Sequence, residues 1–174
     1  ISAACRACGR DIVLSLSPGP APLEQAEHLK KYANMWRITD DFWDEWRLLK
    51  GMFERAEKWC VHAAPGHWPD ADMLPVGALR QCYDPNGWTN FTQAEQRTMM
   101  TLWCMMRSPL MMGGELTKND DFTLKLLTNR DVLAIEKTSA CAHPLWTTED
   151  ESVWIAPRRD GKGLYAALFN LSEE

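Results

Sequence analysis

The stretch Met35-Trp36-Arg37-Ile38-Thr39-Asp40-Asp41-Phe42-Trp43 decides how the rest of the chain is read, together with Gly66-His67-Trp68-Pro69-Asp70-Ala71-Asp72-Met73-Leu74 further on. Two carboxylate clusters each border a short apolar run, and a helical pattern separates them. A barrel of alternating strands and helices brings acidic groups from distant positions onto one rim in this way. Trp36, Trp43 and Trp68 stand beside those carboxylates. Aromatic faces next to acids suit a sugar ring better than a phosphate.

Between the clusters, Phe42, Trp46, Leu49, Phe53, Ala56 and Cys60 alternate spacings of four and three. That spacing predicts one amphipathic helix of about five turns, whose stripe must lie against something flat and apolar such as a sheet. Upstream, residues 12–16 form an apolar, β-branched run halted by Ser17-Pro18-Gly19-Pro20, as a buried parallel strand would be. Pro22 suits a first helical turn, and Leu23, Ala26, Leu29 and Ala33 continue at helical spacing into a second strand at residues 35–38. Downstream, Asp84-Pro85-Asn86-Gly87 reads as a turn, and Thr92-Gln93-Ala94-Glu95 as a capping box. The helix it opens carries Met99, Leu102 and Met106 on one face and is expected to end at Pro109. Residues 110–114 read as a fourth short strand, Asn119 or Asp120 as the cap of another helix, and residues 131–136 as helical again.

Residues 1–140 thus read as four strand-then-helix units, the second half of an eightfold α/β barrel. From Cys141 the pattern changes. Residues 152–156 and 164–169 are strand-like with no helix between them, joined by the Arg158-Arg159-Asp160-Gly161-Lys162-Gly163 turn. Residues 141–174 are therefore expected to open a separate antiparallel β domain.

The 174 residues could bury one ordinary core, and a net charge of −5 without a basic block argues against a nucleic-acid partner. No apolar run approaches the roughly 20 residues that cross a bilayer, so membrane insertion is not expected. Nine Trp and nine Met read mainly as core filling. Of six cysteines only Cys5-x-x-Cys8 has a tempting spacing. A zinc site would need a second pair or a matched His pair, and a redox motif should open a helix after a strand, whereas this one is expected to precede a strand. Plain thiols are the expectation. His62 and His67 lack metal-ligand spacing, and Asn90-Phe91-Thr92 and Asn170-Leu171-Ser172 match a glycosylation tripeptide that is common by chance. Ile1 follows no start methionine or leader, and residues 164–171 run apolar almost to the last residue. Both ends read as cut, so a longer protein is expected, secreted or periplasmic in setting.

Glycoside cleavage needs one carboxyl group to protonate the departing oxygen and a carboxylate across the anomeric carbon. The acid must hold its proton near neutrality, which desolvation or a neighbouring negative charge favours. Asp41, at a strand end beside Asp40, Phe42 and Trp43, meets both conditions, although an aspartate there also reads as a helix N-cap. Asp70-Ala71-Asp72 permits a second reading, the D-x-D that holds a divalent cation against a nucleotide sugar, but no glycine-rich phosphate turn accompanies it. Arg37 shares the rim with Asp41 and could anchor sugar hydroxyls or serve as an ion-pair partner.

The combination Trp36-Arg37-x-x-x-Asp41, Gly66-x-Trp68-x-Asp70-x-Asp72-Met73-Leu74 and Ser108-Pro109-Leu110-Met111 resembles glycoside hydrolase family 27, the melibiase-type α-galactosidases and α-N-acetylgalactosaminidases. The resemblance runs from about residue 12 to residue 135. It implies a (β/α)₈ barrel of which strands five to eight are present, followed by an antiparallel β-sandwich domain. It also implies hydrolysis with retained configuration on a carbohydrate substrate, without metal or organic cofactor. Asp41 falls on the general acid/base, Arg37 on the sugar-binding arginine, Asp72 on the substrate-contacting aspartate and Met73 on a pocket methionine. Ser17 stands where the 2-substituent of the sugar is read, and Trp68 is a candidate stacking surface. The family's Lys-Tyr-Asp nucleophile has no counterpart: Lys31-Tyr32-Ala33 lacks the acid, and Tyr83-Asp84 comes too late. The nucleophile is expected upstream of residue 1. Pro69 and Ala71 replace the usual asparagine and proline, which leaves galactoside, N-acetylgalactosaminide and β-L-arabinopyranoside specificity open.

Overall fold

The computed structural model describes residues 1–172. Its first sheet has the order β1 (Ser15–Leu16), β2 (Met35–Arg37), β3 (Trp68–Asp70), and every pairing is parallel. In register, Ser15 faces Met35, Trp36 faces Pro69 and Arg37 faces Asp70. Alternation along the strands sends Trp36 to one side of the sheet and Arg37 to the other.

The side that Trp36 takes is covered by helices. Its indole is fully buried and lies 6.0 Å from the ring of Trp59, at the end of α3 (Trp46–Trp59). Of the expected stripe, Leu49, Phe53 and Ala56 are buried within the helix, Trp46 is half-buried, and Met52 and Trp59 are buried beside them. Phe42 is buried as well but precedes the helix, and Cys60 belongs to the 3₁₀ turn after it. Before α3 in the chain come α1 (Ser2–Ala7) and α2 (Ala26–Tyr32).

The capping box forms as expected at α4 (Gln93–Met106): Glu95 N–H donates to Thr92 Oγ at 3.2 Å and Thr92 N–H to the Glu95 carboxylate at 2.6 Å. The helix stops before Pro109. Arg107 turns into the left-handed region at φ 59° and Ser108 N–H reaches back to Trp103 C=O at 3.0 Å, a Schellman closure. Asp120 caps α5 (Asp121–Leu127) and Asn129 caps α6 (Arg130–Thr138).

Two expectations need correction, and a third holds. Residues 110–114 do not form a strand; the segment joins the sheet side by one parallel bridge, Leu74 to Met112. Gly113 and Gly114 explain the close approach, since a Cβ on Gly114 would sit 2.1 Å from Val76 C=O. The Cys5-x-x-Cys8 pair precedes β1 as expected, lying in α1 and at its C-cap, and all six thiols are free. The second sheet has three strands rather than two: β4 (His143–Thr147), β5 (Glu151–Pro157) and β6 (Leu164–Asn170), antiparallel with β5 central. Its Trp154, Ala156, Ala167 and Phe169 join the same buried cluster as α3 and α4, with Phe169 edge-on to Phe53 at 4.9 Å. Among the described residues no helix is long and apolar enough to cross a membrane.

Candidate active site

The carboxyl ends of the three parallel strands converge on Arg37, the last residue of β2. Its Nη2 lies 2.7 Å from Asp72 Oδ2 and 3.0 Å from Asp41 Oδ1. The arginine and Asp72 side chains are only 11% and 13% exposed, whereas Asp41 is 87% exposed. Ser17, just past β1, places its hydroxyl 3.5 Å from Arg37 Nη1. Sequence-distant residues 17, 37, 41 and 72 therefore meet around one guanidinium, with Asp41 its most open member.

Asp72 is held from several directions. Its Oδ2 accepts Phe42 N–H at 2.7 Å and its Oδ1 accepts Met73 N–H at 2.7 Å. Its own N–H donates to Asp70 Oδ1 at 2.9 Å, and its carbonyl accepts the Trp103 indole N–H at 3.0 Å. These bonds fix a left-handed backbone at φ 79°, a region that aspartate tolerates better than most residues. Ser108 Oγ accepts Ala71 N–H at 2.9 Å and so satisfies the backbone between the two acids. Met73 lies against Gly113, where a Cβ would come within 2.6 Å of its sulfur.

Asp70 plays a different part from Asp72. Burial pushes its carboxyl above the ordinary value of 3.8, while the Asp72 N–H and the charge of Arg37 pull the other way. Among the described residues no group of three or more His, Cys, Asp or Glu side chains is arranged to hold a metal ion.

Asp41 is not a helix cap: α3 begins at Trp46, and Glu45 occupies the N-cap position. Trp68 does not join the cluster. It starts β3, at the opposite end from Asp70, and its ring lies against the Arg107 guanidinium at 5.5 Å. Trp36 is likewise buried on the helix side.

A second constellation escaped the sequence reading. The Asp44 carboxylate is fully buried and bound by both terminal nitrogens of Arg80, one of them at 3.2 Å, and it accepts Asn90 N–H at 2.5 Å. Burial pushes Asp44 up, but the Arg80 hydrogen bond and the Asn90 N–H outweigh it and hold the carboxyl below 3.8. The same guanidinium lies 5.2 Å from the Trp43 ring centre. The only local hint was an acid, Asp44, set among aromatics; a partner 36 residues away has no local signal.

A family model described as alpha galactosidase A matches residues 1–138. Along its whole length the chain is similar in structure to a GH27 β-L-arabinopyranosidase from Geobacillus stearothermophilus, with a TM-score of 0.93 and 51% identity, and it covers 41% of that chain. The alpha-galactosidase of Cyamopsis tetragonoloba is 33% identical over 135 residues, 76% of this chain and 30% of that protein. Alpha-galactosidase 3 of Arabidopsis thaliana is 32% identical over 181 aligned positions, 98% of this chain and 38% of that protein. The chain spans well under half the length of each of these relatives. With the family model running through the Arg37, Asp41 and Asp72 cluster and across most of the sequence, the chain belongs to the alpha galactosidase A, or melibiase, family of glycoside hydrolase family 27.

Proposed function

We propose that this chain is the acid/base-bearing part of a retaining exo-glycosidase that releases terminal α-galactosyl-type residues from oligo- or polysaccharides. The observation that carries the reading is Arg37 gripping Asp41 and Asp72 beyond the carboxyl ends of parallel strands, in a chain of a glycosidase family. Catalytic groups of (β/α)₈ barrels occupy that end. Residues 1–140 are read as the C-terminal half of such a barrel, strands five to eight, and residues 141–174 as the start of an antiparallel β-sandwich domain.

In the first step the Asp41 carboxyl group gives its proton to the glycosidic oxygen as the bond from that oxygen to the anomeric carbon breaks. A carboxylate encoded upstream of residue 1 forms the new bond to that carbon. In the second step water attacks the anomeric carbon as its bond to the upstream carboxylate breaks, the Asp41 carboxylate takes the water proton, and the sugar leaves with its configuration retained. Arg37 and Asp72 bind sugar hydroxyls, Met73 lines the pocket, and Ser17 stands beside the 2-substituent. Asp41 suits the proton-transfer role because it reaches outward while Asp72 is tied to two backbone amides.

A second reading has its own support in the 51% identity to a β-L-arabinopyranosidase. β-L-Arabinopyranose has the ring configuration of α-D-galactopyranose and lacks its hydroxymethyl group, so one site geometry serves both. Aryl α-galactoside, β-L-arabinopyranoside and α-N-acetylgalactosaminide, assayed on the full-length protein, test the proposal. Hydrolysis fastest on the α-galactoside, with the retained anomer formed first by NMR, is the expected result. A faster arabinopyranoside selects the second reading. Glycan binding without hydrolysis of any of the three would refute both and leave a non-catalytic barrel.

A further inference from the structure

Asp41 is the exposed centre of a segment that is otherwise pinned. Residues 38–45 belong to no helix or strand, yet their contacts leave little slack. Ile38 N–H donates to Asp70 C=O at 3.0 Å. Phe42 is 1% exposed, with its N–H on Asp72 and its ring 5.0 Å from Trp103 and 6.2 Å from Phe91. These contacts hold the segment on the side nearer β2. On the side nearer α3 the Arg80 guanidinium binds the buried Asp44 carboxylate through both terminal nitrogens and lies over the Trp43 ring, whereas a further side-chain pair there, Arg47 with Glu45, is exposed.

The loop that delivers Arg80 is itself tightly closed. Leu79 N–H meets Gly87 C=O at 3.0 Å, Thr89 N–H meets Gly77 C=O at 2.8 Å, and the Thr89 hydroxyl donates to Pro75 C=O at 2.7 Å. The Gln81 amide donates to Gly87 C=O at 2.8 Å and accepts from Lys118. A Cβ on Gly87 would sit 2.3 Å from Leu79 C=O, so only glycine lets the two sides of the loop approach this closely. Arg80 adopts φ 60°, a left-handed backbone that turns its side chain toward Asp44. A rigid loop thus supplies one cation to an anion and a ring that lie three and two residues from Asp41.

We propose that Arg80 is a positioning residue for proton transfer: by gripping Asp44 and Trp43 it fixes the reach of Asp41 toward the glycosidic oxygen. The inference rests on Asp41 being the acid/base. Arginine suits the task because its planar fork binds a carboxylate through two nitrogens while its face stacks on an aromatic ring. A lysine would keep the charge and lose the fork.

The test uses the full-length protein and kcat/KM, which reports the steps through glycosidic cleavage. Arg80→Met should lower kcat/KM by about tenfold to hundredfold on an unactivated disaccharide, a part of what a general acid contributes. It should change kcat/KM less than about threefold on a dinitrophenyl glycoside, whose leaving group needs no proton. Competitive inhibition by the free sugar should stay unchanged, and Arg80→Lys should recover part of the loss. A purely structural role predicts equal losses on both substrates, weaker sugar inhibition, and no selective recovery by lysine; that pattern overturns the inference. Because Arg80→Met strands a buried carboxylate, the double variant Arg80→Met with Asp44→Asn is measured as well. It should fold, and it should keep the disaccharide-specific loss; full recovery in it would also overturn the inference. Asp41→Ala run in parallel separates the two levels. If it shows no dependence on the leaving group, the acid/base reading itself fails, whatever Arg80 does.

Discussion

Replacing Asp72 by asparagine probes the point on which the site geometry hangs. The change keeps the side-chain shape, and asparagine tolerates the left-handed backbone at φ 79°, so little of the effect is conformational. The loss falls on the acceptors. Asp72 uses Oδ2 for Phe42 N–H and Arg37, and Oδ1 for Met73 N–H, each at 2.7 Å. An amide has one oxygen. Its NH₂ must face either Met73 N–H or the Phe42 and Arg37 donors, which leaves at least one largely buried donor unmatched, at about 1–3 kcal/mol. The ion pair with Arg37 is lost too, and with Asp41 exposed and solvent-screened as the remaining partner this adds about 1 kcal/mol. Asp72→Asn should therefore destabilise the full-length protein by about 2–4 kcal/mol in chemical denaturation. A change below about 0.5 kcal/mol, the ordinary range for surface substitutions, would show that Asp72 does not anchor the segment bearing Asp41.

Asp70 and Asp44 should respond to pH in opposite senses. Burial raises the folded-state pKa of Asp70 above 3.8, so the cost of burying its charge appears as pH rises through that window; Asp70→Asn should gain stability at neutral pH relative to the parent, an advantage that disappears near pH 3. Asp44 is held below 3.8, so its contribution is present above that value and is lost as pH falls through the lower folded-state pKa; Asp44→Asn should cost stability at neutral pH and little in strong acid. Urea titrations at several pH values measure both. Thr92→Ala removes one half of the capping box and should destabilise by about 1 kcal/mol, read from the same denaturation curves. Buried Cys60 and Cys104, whose thiols burial pushes up to about 11 and about 12, should resist alkylation in the native protein, whereas exposed Cys8, Cys82 and Cys141 should label within minutes by mass spectrometry.

The elements most legible in the sequence are those whose signals are local. The α3 stripe and the Thr92 capping box depend on residues three and four apart; the capping box appears as expected, and the central part of the stripe does, with Phe42 before the helix and Cys60 after it. The strands were overestimated because apolar character does not say where a ladder ends. Val13 is 73% exposed, and at Leu14 the Asn34 side chain stands in for a strand partner, its Oδ1 accepting Leu14 N–H at 2.9 Å. The edge strand β4 was missed because it contains His143, Pro144 and Thr147 rather than an alternating apolar pattern. Arg37, Asp41, Asp72, Met73 and Ser17 were legible as candidates through the family pattern, and the structure brings them to one end of the sheet or, for Met73, next to it. Trp68 was placed by adjacency along the chain alone. Strand direction puts it at the far end, where it stacks on Arg107. The pairing of Asp44 with Arg80 depends on a loop closing across 36 residues, and no periodicity in the sequence reports that. It also explains why the helix starts late: Asp44 spends its carboxylate on Arg80 and Asn90 rather than on capping.

The dependence of kcat/KM on leaving-group pKa, measured for full-length parent and Asp41→Ala on a series of aryl glycosides and one disaccharide, tests the proton-donor assignment most directly. The variant should be nearly normal on the most acidic phenols and fall progressively behind as the leaving group becomes more basic, by about 10²–10⁴ on the disaccharide. A loss of the same size across the whole series would mean that Asp41 does not donate the proton.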